Sequence, residues 1–437
     1  MSEQRPPDPA DLAEEPLAGA ERPGIFGFLG RLKLDTRPLR ESAAFRRLWI
    51  GQTISVIGGE LSFVAIPYQV FQLTHSTLAV GLLGFCTLVP LVCVPLVGGT
   101  LADAVDRRKL LLQTEVALVL ITVLLAVNAA LPHPQVWALY VLLTLGTTAF
   151  SLGTPALRSL LPRIVAQDQI AAASALEGIY GNLAAAAGPI LAGVLISLVG
   201  LTMTYLIDVG TFAASLAALW LLPPLPPAEG APRASVRSMV EGFRYVRSRP
   251  ILLGIFLVDT NAMIFGMPMA LFPAIGESFG GGARIVGLLY AAPYIGALLA
   301  SLVSGWTSHV RRQGLGVVVA ASCWGVSLVL FGFADALWLA LVMLALAGAA
   351  DYVSAILRSV IVLTATPDEM RGRVTGIEFA QVASAPSLGN VEAGAVASAT
   401  SLRFSVVSGG IASVVGTLLI AAAVPALLRY DSKDPDA

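Results

Sequence analysis

The chain has 437 residues, 56% of them hydrophobic and only 13% charged, with a formal net charge of −1. A water-soluble protein carries roughly a quarter of its residues as Asp, Glu, Lys or Arg, so this composition cannot clothe a soluble chain and places it in a bilayer. The near-neutral balance argues against nucleic acid as a partner. Cys86, Cys93 and Cys323 lie in apolar runs, as small core residues rather than a disulfide framework, and no Cys-x-x-Cys suggests structural zinc. Residues 1–23 are acidic and proline-rich, unlike a secretory leader, so targeting is expected from the first span.

A helix needs about 20 mostly apolar residues to cross a bilayer. In chain order this predicts spans at 46–73, 77–101, 110–131, 135–160, 170–198, 201–222, 251–275, 284–308, 315–333, 337–363, 374–398 and 402–428. The uncharged run 61–102 divides at Thr74-His75-Ser76, and the next long run divides at Pro132-His133-Pro134. None alternates as a barrel strand would. With twelve spans, one side of the membrane receives 25 of the 27 basic residues, leaving only Arg284 and Arg403 opposite. Positive loops stay inside, so both termini are expected in the cytoplasm and the protein in the cell membrane.

The chain divides into a cytoplasmic tail (1–45), a six-helix bundle (46–222), a linker (223–250), a second bundle (251–428) and a short cytoplasmic tail (429–437). The linker opens on Pro223-Pro224-Leu225-Pro226-Pro227, a stiff spacer. After it Val236, Met239, Val240, Phe243 and Val246 recur at helical spacing among Arg237, Arg244, Arg247 and Arg249, as in an amphipathic helix lying on a leaflet. A weaker version is expected at 25–34. The bundles echo each other: Leu157-Arg158-Ser159 near the end of span 4 matches Leu357-Arg358-Ser359 near the end of span 10. Two pseudo-symmetric bundles that rock about a central cavity are a transporter's architecture.

Enzyme motifs are missing. No lysine follows a glycine-rich run, no Gly-x-Ser-x-Gly or His-Glu-x-x-His occurs, and His75, His133 and His309 sit in loops or at span ends. No enzymatic activity, cofactor or metal is therefore expected.

Between spans 2 and 3 the chain reads Gly98-Gly99-Thr100-Leu101-Ala102-Asp103-Ala104-Val105-Asp106-Arg107-Arg108-Lys109. Gly99, Asp103, Arg107 and Arg108 suit a latch that holds the cytoplasmic side shut; ordinary positive-inside flanking is the plainer reading. This spacing resembles the signature loop of the major facilitator superfamily, with Asp106 where a glycine is usual. The resemblance implies an all-α membrane protein of twelve transmembrane helices in two six-helix bundles, working by alternating access with this loop as a gate. Further stretches resemble the enterobactin-exporter branch: Phe45-Arg46-Arg47-Leu48-Trp49, Ala65-Ile66-Pro67-Tyr68-Gln69-Val70, Gly287-Leu288-Leu289-Tyr290-Ala291-Ala292-Pro293, Pro155-Ala156-Leu157-Arg158 and Arg371-Gly372-Arg373. Gly188-Pro189 in span 5 is similar to the superfamily's antiporter signature and should bend a cavity helix; a packing kink is the plainer alternative.

Ionisable groups inside the membrane carry the sharpest expectation. Glu60 lies about 14 residues, or about 21 Å, from each end of span 1. A carboxylate there must face water, be paired or be protonated, so Glu60 is a proton-coupling candidate, with a structural acid as the alternative. Asp351 is similarly central in span 10, and Arg358 follows seven residues later on the same face, either as its partner or snorkelling to the surface. Asp208, Asp259, Asn261 and Glu392 lie nearer span ends. Glu115, Glu177 and Glu378 sit where pairing with gate arginines is expected, and Tyr68, Tyr180 and Tyr294 are candidate cavity aromatics. The expected function is proton-coupled export of an amphipathic small molecule by a monomer in the lipid bilayer. An enterobactin-type siderophore leads. Multidrug or natural-product efflux, proton-symport import and a non-transporting receptor or scaffold are the alternatives.

Overall fold

The computed structural model describes residues 35–104, 106–158, 160–222 and 236–431, and their side chains except at 95–104, 158 and 236–238. The tail to residue 34 and the linker 223–235 lie outside the described residues. Among those described, twelve long helices form. These are α1 (Ala43–Thr74), α2 (Thr77–Ala104), α3 (Arg107–Ala130) and α4 (Val136–Arg158). The stretch Ile170–Trp220 breaks at Gly200, where φ is +80°, giving α5 (170–199) and α6 (201–220). Then come α7 (Pro250–Phe265), α8 (Gly282–Leu302), α9 (Gln313–Gly332), α10 (Leu337–Ala365), α11 (Asp368–Ala399) and α12 (Leu402–Ala423).

Local chemistry sets the ends. Ser42 accepts from the Phe45 amide at the start of α1, Ser401 accepts from Phe404 at the start of α12, and His75 closes α1 in the left-handed region. Span 7 departs from the expected single helix at 251–275. It stops at Phe265, and a 3-10 turn at Pro268–Leu271 and a short helix at Phe272–Ser278 continue it. Pro268 has no amide hydrogen to donate back, and Gly266 leaves room for the Trp324 indole, whose nitrogen would lie 2.3 Å from an added Cβ. Span 8 also ends earlier than the expected 308, at Leu302, and a 3-10 segment covers Ser304–His309.

Ten helical stretches are long and apolar enough to cross a membrane, one of them holding both α5 and α6. Helix α11 is the exception, because it carries Glu378, Gln381, Asn390 and Glu392. Two of these satisfy groups on span 7: Gln381 donates to the Phe256 carbonyl, and the Asn390 amide oxygen accepts from the Ala270 amide. The linker helix, Val236–Ser248, rests on α11, with Gly242 against Arg373 and Ile377 and Val246 buried, while Val240 and Phe243 face outward.

The two bundles meet at one end. One apolar cluster there draws Leu61, Val64 and Tyr205 from the first bundle and Phe272, Leu289 and Leu344 from the second. At the other end, which carries residues 35 and 431, the cores are separate: Leu48, Leu110 and Leu219 on one side, Leu252, Val317 and Leu357 on the other. Close approach of small residues joins the closed end. A Cβ on Gly394 of α11 would lie 2.9 Å from the Gly81 Cα of α2, and one on Gly193 of α5 would lie 3.1 Å from the Gly287 Cα of α8. Thr87 and Ser387 share a 2.9 Å hydroxyl contact, and Arg284 donates to Ser197. At the other end, Gly178 and Gly181 of α5 and Gly372 and Gly376 of α11 face open space. Among the described residues, the interior therefore opens toward the end that holds the termini.

Candidate functional site: an interior lined by acids

Helix α1 carries Glu60 into the interior, half-buried. Among the described residues, Glu60 has no hydrogen-bond or ionic partner. Its stem lies on Gly188 of α5, where an added Cβ would come within 2.4 Å of the Glu60 Cβ and 2.8 Å of its Cγ. Gly188 is thus the seat of this side chain. Tyr294 of α8 lies within electrostatic reach of both Glu60 and Asp351. Two acids on opposite bundles, far apart in sequence, flank one phenol.

In the second bundle the chemistry gathers around Arg358, which is buried at 8% exposure. Its guanidinium donates to Asp259 Oδ1 on α7, while Gln381 of α11 donates to Asp259 Oδ2 at 2.9 Å. Asp351 Oδ1 stands 4.0 Å from Arg358 Nη2, and Glu378 of α11 also lies within its electrostatic reach. The Asp259 side chain is 5% exposed with both oxygens hydrogen-bonded, whereas that of Asp351 is 41% exposed. Snorkelling is overturned: a guanidinium this deep needs an anion, and Asp259 supplies it. In the sequence Asp259 stands out less than Glu60 or Asp351, because it lies nearer a span end. Yet Asp259 lies nine residues into α7 and Arg358 seven residues before the end of α10, so both sit about 10–14 Å from the same face. Equal depth was the available signal.

In the first bundle, Asp208 and Glu115 have neutral partners. Asp208 of α6 accepts from Ser62 and Thr211, with Gly58 allowing the approach of α1. Glu115 of α3 was expected to pair with an arginine; it instead accepts from Ser215 at 2.7 Å, which in turn accepts from Gln52 at 2.9 Å. The reason is placement, since Glu115 faces α6 within the bundle. Among the aromatic candidates, Tyr68 approaches Gly282, and Tyr180 stands edge-on to Trp49 at 6.2 Å.

At the loop between α2 and α3, the side chain of Asp103 lies outside the described residues, and Gly99 is described only as part of the α2 backbone. Asp106 explains how the usual glycine is dispensed with. It accepts from the amides of Arg108 (2.9 Å) and Lys109 (3.3 Å) as the N-cap of α3, with ordinary negative φ. Arg107 is buried. Arg108 donates to the carbonyls of Leu219 and Trp220, answering the partial negative charge at the end of α6.

Comparison with known proteins agrees with this architecture. The model of a family described as transmembrane secretion effectors matches residues 35–436. The enterobactin exporter EntS of Citrobacter koseri is 32% identical over 384 residues, 87% of this chain and 92% of that protein. EntS of Shigella boydii is 31% identical over 399 residues, 91% and 95% of the two chains. Among solved structures, the nucleoside transporter NupG matches with a TM-score of 0.69 at 15% identity, over 89% of this chain and all of that one. A bacterial homologue of the lysosomal transporter Spinster, inward-facing and unoccupied, gives 0.67 at 14% identity over 90% and 98%. At such identities the structural likeness speaks for the fold alone. Family and relatives are transporters rather than enzymes. The chain belongs to the transmembrane secretion effector family of the major facilitator superfamily, and is a multi-pass membrane transporter of small molecules.

Proposed function

We propose that the chain exports an amphipathic organic molecule, a siderophore of the enterobactin type, in exchange for protons. The reading is carried by the likeness to the EntS exporters, which extends over 87–91% of this chain. We take the termini and the basic loops as cytoplasmic, in the cell membrane, so the open end receives cargo from the cytoplasm. The bodies that rock are 46–222 and 251–428, and the working unit is a monomer. Glu60 is the coupling acid: without a cationic partner, its charge is tolerated only while water reaches it, and a proton neutralises it as the crevice closes. Asp351 assists from the facing bundle, and the bend at Gly188-Pro189 holds Glu60 toward the cavity. Asp103 and Arg107, with Gly99 and Arg108 framing the turn, latch the cytoplasmic end when it shuts.

The test uses inverted membrane vesicles with an acid lumen. Enterobactin should accumulate in the lumen and discharge the proton gradient, and Glu60→Gln should abolish both. Accumulation by Glu60→Gln with the wild-type dependence on the gradient would falsify the proton role. Failure to move enterobactin, with gradient-driven transport of a cationic drug, would replace the cargo.

A further inference from the structure

One large hollow lies away from the interior. It holds about 1110 Å³ on the outer flank of the second bundle, between α8, α9 and α10, with Leu299, Val303, Trp306, Val319, Leu346 and Ala350 among its walls. A second, of about 720 Å³, lies on the other side of α9 toward α12, lined by Ser322, Val326, Leu418 and Leu428. The two share Leu315, Val319, Cys323 and Leu346, so a single forked groove straddles α9. Its walls are apolar and face outward: Leu299 is 58% exposed, Val319 53% and Leu346 51%.

Three observations name the occupant. The groove runs along α9 from Leu315 to Val326, eleven residues or about 16 Å. That is close to half of a hydrocarbon layer about 30 Å thick, the depth of one leaflet. Its mouth is at the end of the molecule that holds the termini, where Arg312 lines it and Trp306 stands at the level of a bilayer interface. The mouth is also cationic. Arg312 has no carboxylate partner among the described residues, while its neighbour Arg311 reaches Asp431 at 3.8 Å. The first amides of α9 add the positive end of the helix dipole.

We infer that this groove is a binding site for an anionic phospholipid of the leaflet on the terminal side. Its two acyl chains lie on either side of α9 and its phosphate rests on Arg312. One fork for each chain accounts for the two connected hollows. The single charge at the mouth selects an acidic headgroup over a zwitterionic one. The earlier shortening of α8 now has a role, because a helix running on past Leu302 would carry Trp306 along a different path.

The site is testable on purified protein by native mass spectrometry, with phosphatidylglycerol and phosphatidylcholine as probes at equal concentration. Wild type should retain phosphatidylglycerol about five-fold better, the preference that one arginine near a headgroup confers. Arg312→Ala should remove the preference. Ala300→Phe, which fills the groove, should remove retention of both lipids, and Arg403→Ala at the other end should change nothing. Equal retention of the two lipids by wild type, or a preference that survives Arg312→Ala, overturns the site. So does a dimer that Ala300→Phe dissociates, which would make a second copy the occupant. If Ala300→Phe fails to fold, as judged by circular dichroism, the Arg312→Ala comparison still decides.

Discussion

At the scale of single residues, the molecule separates acids that are tied from acids that are free. Asp259 and Arg358 form a buried ion pair whose value depends on both members being present, because either one alone would leave an uncompensated charge in the interior. Arg358→Gln should therefore lower stability by about 3–5 kcal/mol. Arg358→Gln combined with Asp259→Asn should regain most of that loss, measured by thermal unfolding in detergent. Additive losses would show that the two side chains act independently. Glu60 was legible from sequence because its depth depends only on counting along one helix. Asp259 was not, since its importance rests on α7 and α10 standing side by side, a relation that no local pattern records. The same limit explains Glu115, which lies near Arg107 and Arg108 in sequence but turns toward Ser215 within its own bundle.

At the scale of elements, apolar length made nearly every span readable, and the turn signals at Thr74-His75-Ser76 and Pro132-His133-Pro134 marked true helix ends. The breaks inside spans were less legible. The end of α7 depends on Pro268 together with the Trp324 ring seated on Gly266, a contact with another helix. Asp106 shows a different kind of substitution. Where a glycine would supply backbone freedom, an acid supplies a cap, and the turn keeps ordinary dihedrals. Asp106→Ala should cost about 1 kcal/mol through the lost cap, whereas Asp106→Asn should hold nearly full stability because its amide oxygen still accepts. Thermal unfolding of the two variants decides this. An equal loss in both would place the role in charge rather than in capping.

At the scale of the whole molecule, function requires that the closed end open. Among the described residues, no ion pair joins the two bundles at that end: the joints are glycine crossings, a hydroxyl pair and an arginine donating to a serine. Such contacts are short-ranged, and a modest separation of α2 from α11 and of α5 from α8 loses all of them together. This is how packed surfaces switch between two arrangements instead of deforming gradually. A covalent bond across the joint should then stop transport without disturbing either bundle. Thr87 and Ser387 offer the place, because their hydroxyl oxygens are 2.9 Å apart and a pair of cysteines there suits a disulfide. With Cys86, Cys93 and Cys323 first replaced by Ala, Thr87→Cys with Ser387→Cys should lose transport on oxidation and recover it on reduction. Each single variant should be unaffected by oxidant. Full transport by the cross-linked protein would mean that cargo passes without parting α2 from α11, and rocking of the two bundles would have to give way to a movement within one of them.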